Sequence, residues 1–104
     1  MRRSSWKRSE RAIAAALGGE RLPVTGRKGP DIAHGLLAPE VKSRGKLPKY
    51  LHDWLAQARN GAPAGRLPIV VMHEAGRPHA SDLVLLALGD LAELLRGTHV
   101  DDQQ

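Results

Sequence analysis

The chain has 104 residues, 16 Lys/Arg against 11 Asp/Glu, and a formal net charge of +5. Cysteine and Phe are absent. That excludes a disulfide framework and a thiolate metal site, and it leaves Leu, Ile, Val and Ala to build one modest core.

Residues 5–18 read as a helix, with Ser4 or Ser5 as cap, an Ala-rich body and Gly18-Gly19 as its end. Trp6, Ile13 and Leu17 fall on one face, and Glu10 shares it. A carboxylate on a buried stripe requires a partner, either a metal or a neighbouring arginine. Met1-Arg2-Arg3 is not expected to open an export signal, because the apolar run Ala12 to Leu17 is short and follows Glu10 and Arg11. A cytoplasmic setting is expected, and no segment approaches the roughly 20 apolar residues of a membrane span.

Arg21 to Thr25 is expected to be a short strand. The basic, glycine-flanked loop Thr25-Gly26-Arg27-Lys28-Gly29-Pro30 follows it. Asp31 to His34 is expected as a second strand, Gly35 as a turn, and Leu36 to Arg44 as a third strand. Lys49 to Asn60 reads as a helix ended by Gly61, with Leu51, Trp54, Leu55 and Ala58 on its apolar face and Gln57 pointing at least partly inward. Leu67 to Met72 is an apolar run typical of a buried strand. Leu83 to Leu88 is the last expected strand, and Leu91 to Leu95 a short closing helix. The order α-β-β-β-α-β-β-α predicts an α/β fold, one mixed sheet flanked by helices. No linker or internal repeat divides the chain, so a single domain over 1–104 is expected, with flexible ends at 1–4 and 98–104.

Charge is unevenly placed. Residues 1–50 hold 12 Lys/Arg and 4 Asp/Glu, a balance of +8, whereas residues 51–104 hold 4 and 7, a balance of −3. The basic half contains Gly29-Pro30-Asp31 and Pro39-Glu40-Val41-Lys42. On a strand, Glu40 and Lys42 project to the same side. A carboxylate beside an ammonium, with Asp31 brought from the preceding strand, can hold a hard divalent cation or steady the charge of a phosphate. A basic surround suits a polyanion such as nucleic acid. Arg27, Lys28, Arg44, Lys46 and Lys49 are candidate phosphate contacts. The five histidines show no i, i+4 metal pair, and His34 is expected to be structural or DNA-contacting rather than a ligand.

An acidic-x-Lys triplet alone is common by chance. The ordered set Glu10, Pro30-Asp31, Glu40-Val41-Lys42 and Gln57 resembles the PD-(D/E)xK, or restriction-endonuclease-like, nuclease superfamily over roughly residues 7–72. With the glycine-bearing loop, Ser43-Arg44 and Tyr50, it is most similar to archaeal-type and phage Holliday junction resolvases. The resemblance implies that Asp31 and Glu40, helped by the Val41 carbonyl and completed by Glu10, coordinate Mg²⁺ or Mn²⁺. It implies that Lys42 orients the attacking water or stabilises transition-state charge, and that Gln57 holds Lys42 or that water. Thr25 falls where relatives often carry a hydroxyl. Pro39 departs from the pattern, since it cannot donate a ladder hydrogen bond.

The implied activity is metal-dependent endonucleolytic hydrolysis of branched DNA, performed by a homodimer making two cuts in a four-way junction, in a host cytoplasm if phage-encoded. A sequence of this length leaves little room for a sequence-reading module, so selectivity is expected to follow DNA shape. The alternatives are another replication or repair nuclease (nicking, flap or nonspecific), or a DNA-binding module on the same fold that has lost catalysis.

Overall fold

The structure is a computed structural model. It describes the backbone of residues 2–23 and 29–102, and the side chains of residues 6–23 and 29–97. Thr25, Arg27 and Lys28 therefore lie outside the described residues, as do the side chains of the expected flexible ends. The elements run α1 (Arg2–Leu17), β1 (Glu20–Arg21), β2 (Ile32–Ala33), α2 (Lys49–Gly61), β3 (Val70–Met72), a 3-10 turn (His79–Ser81), β4 (Leu83–Leu85) and α3 (Leu88–Asp102). This is a small mixed α/β protein with three α-helices among the described residues.

The expected single mixed sheet is not formed. Among the described residues there are two separate two-stranded antiparallel sheets, β1–β2 and β3–β4. The third strand expected over Leu36 to Arg44 is not formed either. Pro39 gives the physical reason: it brings no N–H to a ladder in the middle of that segment. The chain instead turns back with one backbone bond, in which Asp31 N–H donates to Pro39 O at 2.9 Å.

Chain contacts divide the protein into two compact units, residues 1–44 with 91–104, and residues 45–90. The first holds the core: Ala14, Leu17, Ile32 and Ala92 are buried, and Ile32 is fully so. α1 packs on β1 and β2, and its end is made by two glycines. Gly18 takes φ +77°, the left-handed turn that closes a helix. Gly19 passes so close to β2 that a Cβ would run into Ala33 O and Ile32 Cγ2. His34 secures the same corner. Its Nδ1 accepts from Leu36 N–H at 3.0 Å and Leu37 N–H at 3.2 Å, so Nε2 carries the proton donated to Leu17 O at 2.8 Å.

The second unit is α2 laid against the β3–β4 hairpin. None of its side chains is fully buried, and Trp54, Ile69, Val71, Leu83 and Val84 are exposed. Helix α2 matches its expected start and ends one residue later than expected, with Ala62 as its C-cap. Strands β3 and β4 are shorter than the expected runs, and α3 is longer than the expected Leu91 to Leu95.

Candidate functional site

Asp31 sits at a bend before β2, and all three of its polar backbone and side-chain groups are engaged. Its carbonyl accepts from Leu22 N–H at 2.9 Å, which extends the β1–β2 pairing, while its own N–H goes to Pro39 O. Its carboxylate Oδ2 accepts from Val41 N–H at 2.7 Å. A short bond from an amide to an ionised carboxylate is of the stronger, charge-assisted kind. The Asp31 side chain therefore does what a third strand would have done. It docks residues 39–41 against the start of β2.

The consequence is that the Pro30-Asp31 and Glu40-Val41-Lys42 motifs meet. Glu40 and Lys42 point the same way, as alternate residues of extended chain do, and Lys42 Nζ lies 3.2 Å from Glu40 Oε2. Both are open to solvent, with side-chain exposures of 82% for Lys42 and 60% for Glu40. An ion pair this exposed adds little stability. Its components are free to exchange for other partners.

Glu10 has a different occupation. It is buried, and its Oε1 lies 2.7 Å from Arg21 Nε, whose side chain is almost as enclosed. The Arg21 guanidinium also stacks over the Trp6 ring at 5.6 Å. Of the two partners that a carboxylate on this stripe could take, the structure supplies the arginine. Among the described residues, Glu10, Asp31 and Glu40 do not gather as three ligands around one point. Gln57 is exposed on α2 rather than inward-facing, and it belongs to the second unit.

Of the candidate phosphate contacts, Arg44, Lys46 and Lys49 are exposed. Lys49 Nζ bonds Asp53 Oδ2 at 2.7 Å, one helical turn along α2. His34, with both ring nitrogens used by the backbone, is structural.

One group was not anticipated from the sequence. His73, His79 and Asp82 bring one ligand atom each within 4.8 Å of one another, the one such cluster among the described residues. Two imidazoles make it unsuited to Mg²⁺, so it lends no support to a magnesium centre. The signal in the sequence was positional. His73 follows the first of the two strands expected over Leu67 to Met72 and Leu83 to Leu88, Asp82 precedes the second, and Pro78 precedes the turn that returns His79.

Among the described residues, no helix is long and apolar enough to cross a membrane. Comparison of the chain with family models, with curated proteins and with solved structures finds no match.

Proposed function

We propose that the chain is a metal-dependent DNA endonuclease, centred on Asp31, Glu40 and Lys42 and related to the PD-(D/E)xK nucleases. The observation that carries this reading is the 2.7 Å bond from Val41 N–H to the Asp31 carboxylate. It sets the first carboxylate of the motif against the segment that bears the second carboxylate and the lysine. The restriction-endonuclease-like relationship is proposed for α1, β1, β2 and residues 39–42, which keep the motif order without a third strand.

The donor set fits a hard cation. Asp31 and Glu40 offer carboxylate oxygens and Val41 a backbone carbonyl, the ligands that Mg²⁺ and Mn²⁺ take. When bound, such an ion polarises a phosphoryl oxygen and acidifies a water. Lys42, paired with Glu40 in this structure, would present its ammonium to the charge that develops on the phosphate. Glu10 remains with Arg21, where it holds α1 to β1, and Gln57 is not required by this smaller site.

DNA is favoured as substrate because the half of the chain around this site carries the positive balance, with Arg44, Lys46 and Lys49 exposed just beyond it in sequence. A branched junction and a C₂ homodimer follow from the resolvase resemblance. Exposed Val71, Leu83 and Val84 give the second unit apolar surface of the kind an interface uses. One observation favours a second reading, a DNA-binding module without catalysis: the pairing of Glu10 with Arg21 removes one carboxylate from the implied metal set.

Incubating the protein with a four-way junction, a flap and a linear duplex separates these readings. Cleavage is expected in Mg²⁺ or Mn²⁺ and not in EDTA, with the junction preferred. Asp31→Asn keeps an acceptor for Val41 N–H, and Glu40→Gln keeps the side-chain shape. Each is expected to lower cleavage by about 10² or more, as is Lys42→Ala. Binding in EDTA without cutting in either metal establishes the binding module and overturns the enzyme.

A further inference from the structure

We propose that His73, His79 and Asp82 form a binding site for a divalent transition metal of the zinc type. The site is built within the β3–β4 hairpin. Strand register pairs Val70 with Leu85, Val71 with Val84 and Met72 with Leu83. One more step along that ladder sets His73 opposite Asp82, and His73 Nδ1 lies 2.7 Å from Asp82 Oδ1. The 3-10 turn then brings His79 back over the same carboxylate, with Nδ1 3.1 Å from Oδ2. Asp82 N–H to His79 O at 3.0 Å fixes that turn, together with the Ser81 hydroxyl and amide on Pro78 O at 2.8 and 3.0 Å. The two rings lie 4.2 Å apart at 31°.

This arrangement is preorganised from the backbone outward. The Asp82 side chain is only 11% exposed, whereas His79 is 82% exposed and His73 37%. A firmly held carboxylate thus faces two accessible imidazoles. A carboxylate only accepts, so without a metal each ring donates its Nδ1 proton to it. A cation seated between them takes both Nδ1 lone pairs and one Asp82 oxygen, with each ring proton moving to Nε2. No redox step and no net proton release are needed. Two nitrogens and one oxygen select zinc and its neighbours over Mg²⁺ or Ca²⁺.

Three protein ligands leave a coordination position open. His73 and Asp82 also line a pocket of about 260 Å³, together with Glu74, Arg77 and Ser81. The metal would also join the two strand ends of a unit that has no fully buried side chain. Binding to the folded form alone therefore raises stability.

Titration of the whole protein with Zn²⁺ by calorimetry, and with Co²⁺ by visible absorption, tests the site. One equivalent is expected to bind, unmoved by excess Mg²⁺, with a rise in Tm. His79→Ala removes an exposed side chain and leaves the fold intact. It is expected to weaken binding about tenfold or more, as is Asp82→Asn. Binding only in the millimolar range overturns the proposal, as does affinity unchanged when His73 and His79 are both replaced by Ala. The second result would place the metal on other histidines. Nuclease activity enters neither readout, so this proposal and the endonuclease reading fail separately.

Discussion

Asp31 and His34 show how a side chain substitutes for secondary structure. Asp31 Oδ2 takes the Val41 amide, and the His34 ring bridges Leu17 O to the amides of Leu36 and Leu37. His34→Ala leaves those three backbone groups without their partner. A part-buried backbone group that loses its bond costs about 1–3 kcal/mol, so His34→Ala is expected to destabilise the protein by that order in urea denaturation. A DNA-contacting histidine would leave stability unmoved and weaken binding instead. Sequence spacing showed that Glu40 and Lys42 share a side and that Glu10 lies on the buried stripe. It left open whether Glu10 meets a metal or an arginine, because Arg21 reaches it only once β1 is laid against α1.

The elements differ in how far their sequences determine them. Helix α2 is legible almost to the residue because its apolar spacing is local, although Trp54 on that face stays 43% exposed. The segment from Leu36 to Arg44 has strand-like composition, but Pro39 and the Asp31 side chain replace ladder bonds with one backbone and one side-chain contact. Strand β2 is two residues long yet carries Ile32, the one large side chain at 0% exposure among the described residues. Ile32→Ala is expected to cost about 2–5 kcal/mol, measured by denaturant unfolding. A loss below about 1 kcal/mol, by the same scale, would show that α1 and the β1–β2 sheet do not share the core described.

For the whole molecule, charge placement and division into units matter more than net charge. On the proposed function, the +8 balance of residues 1–50 is expected to make binding to DNA weaken steeply with salt. Replacing Arg44, Lys46 and Lys49 together with Ala is expected to flatten the dependence of log K on log salt, by roughly one for each phosphate that is no longer neutralised. The measurement is a fluorescence anisotropy series across salt concentrations. An unchanged slope would remove these three residues from the interface. The second unit leaves Val71, Leu83 and Val84 exposed on a two-stranded hairpin and has no fully buried side chain.

The sequence by itself determined the α/β class, the extent of α2, the place of Glu10 on the buried face of α1, the charge asymmetry and the order of the acidic motif, since each depends on near neighbours and periodicity, whereas the inward place expected of Gln57 was not met. Only the tertiary structure decided that the strands form two separate pairs, that Arg21 takes Glu10, and that His73, His79 and Asp82 converge. These outcomes depend on which distant groups meet. The missing N–H of Pro39 is legible in the sequence, but a carboxylate that bonds an amide ten residues on and a hairpin register are settled by hydrogen bonding between distant groups and by closure of the chain, which no local pattern encodes.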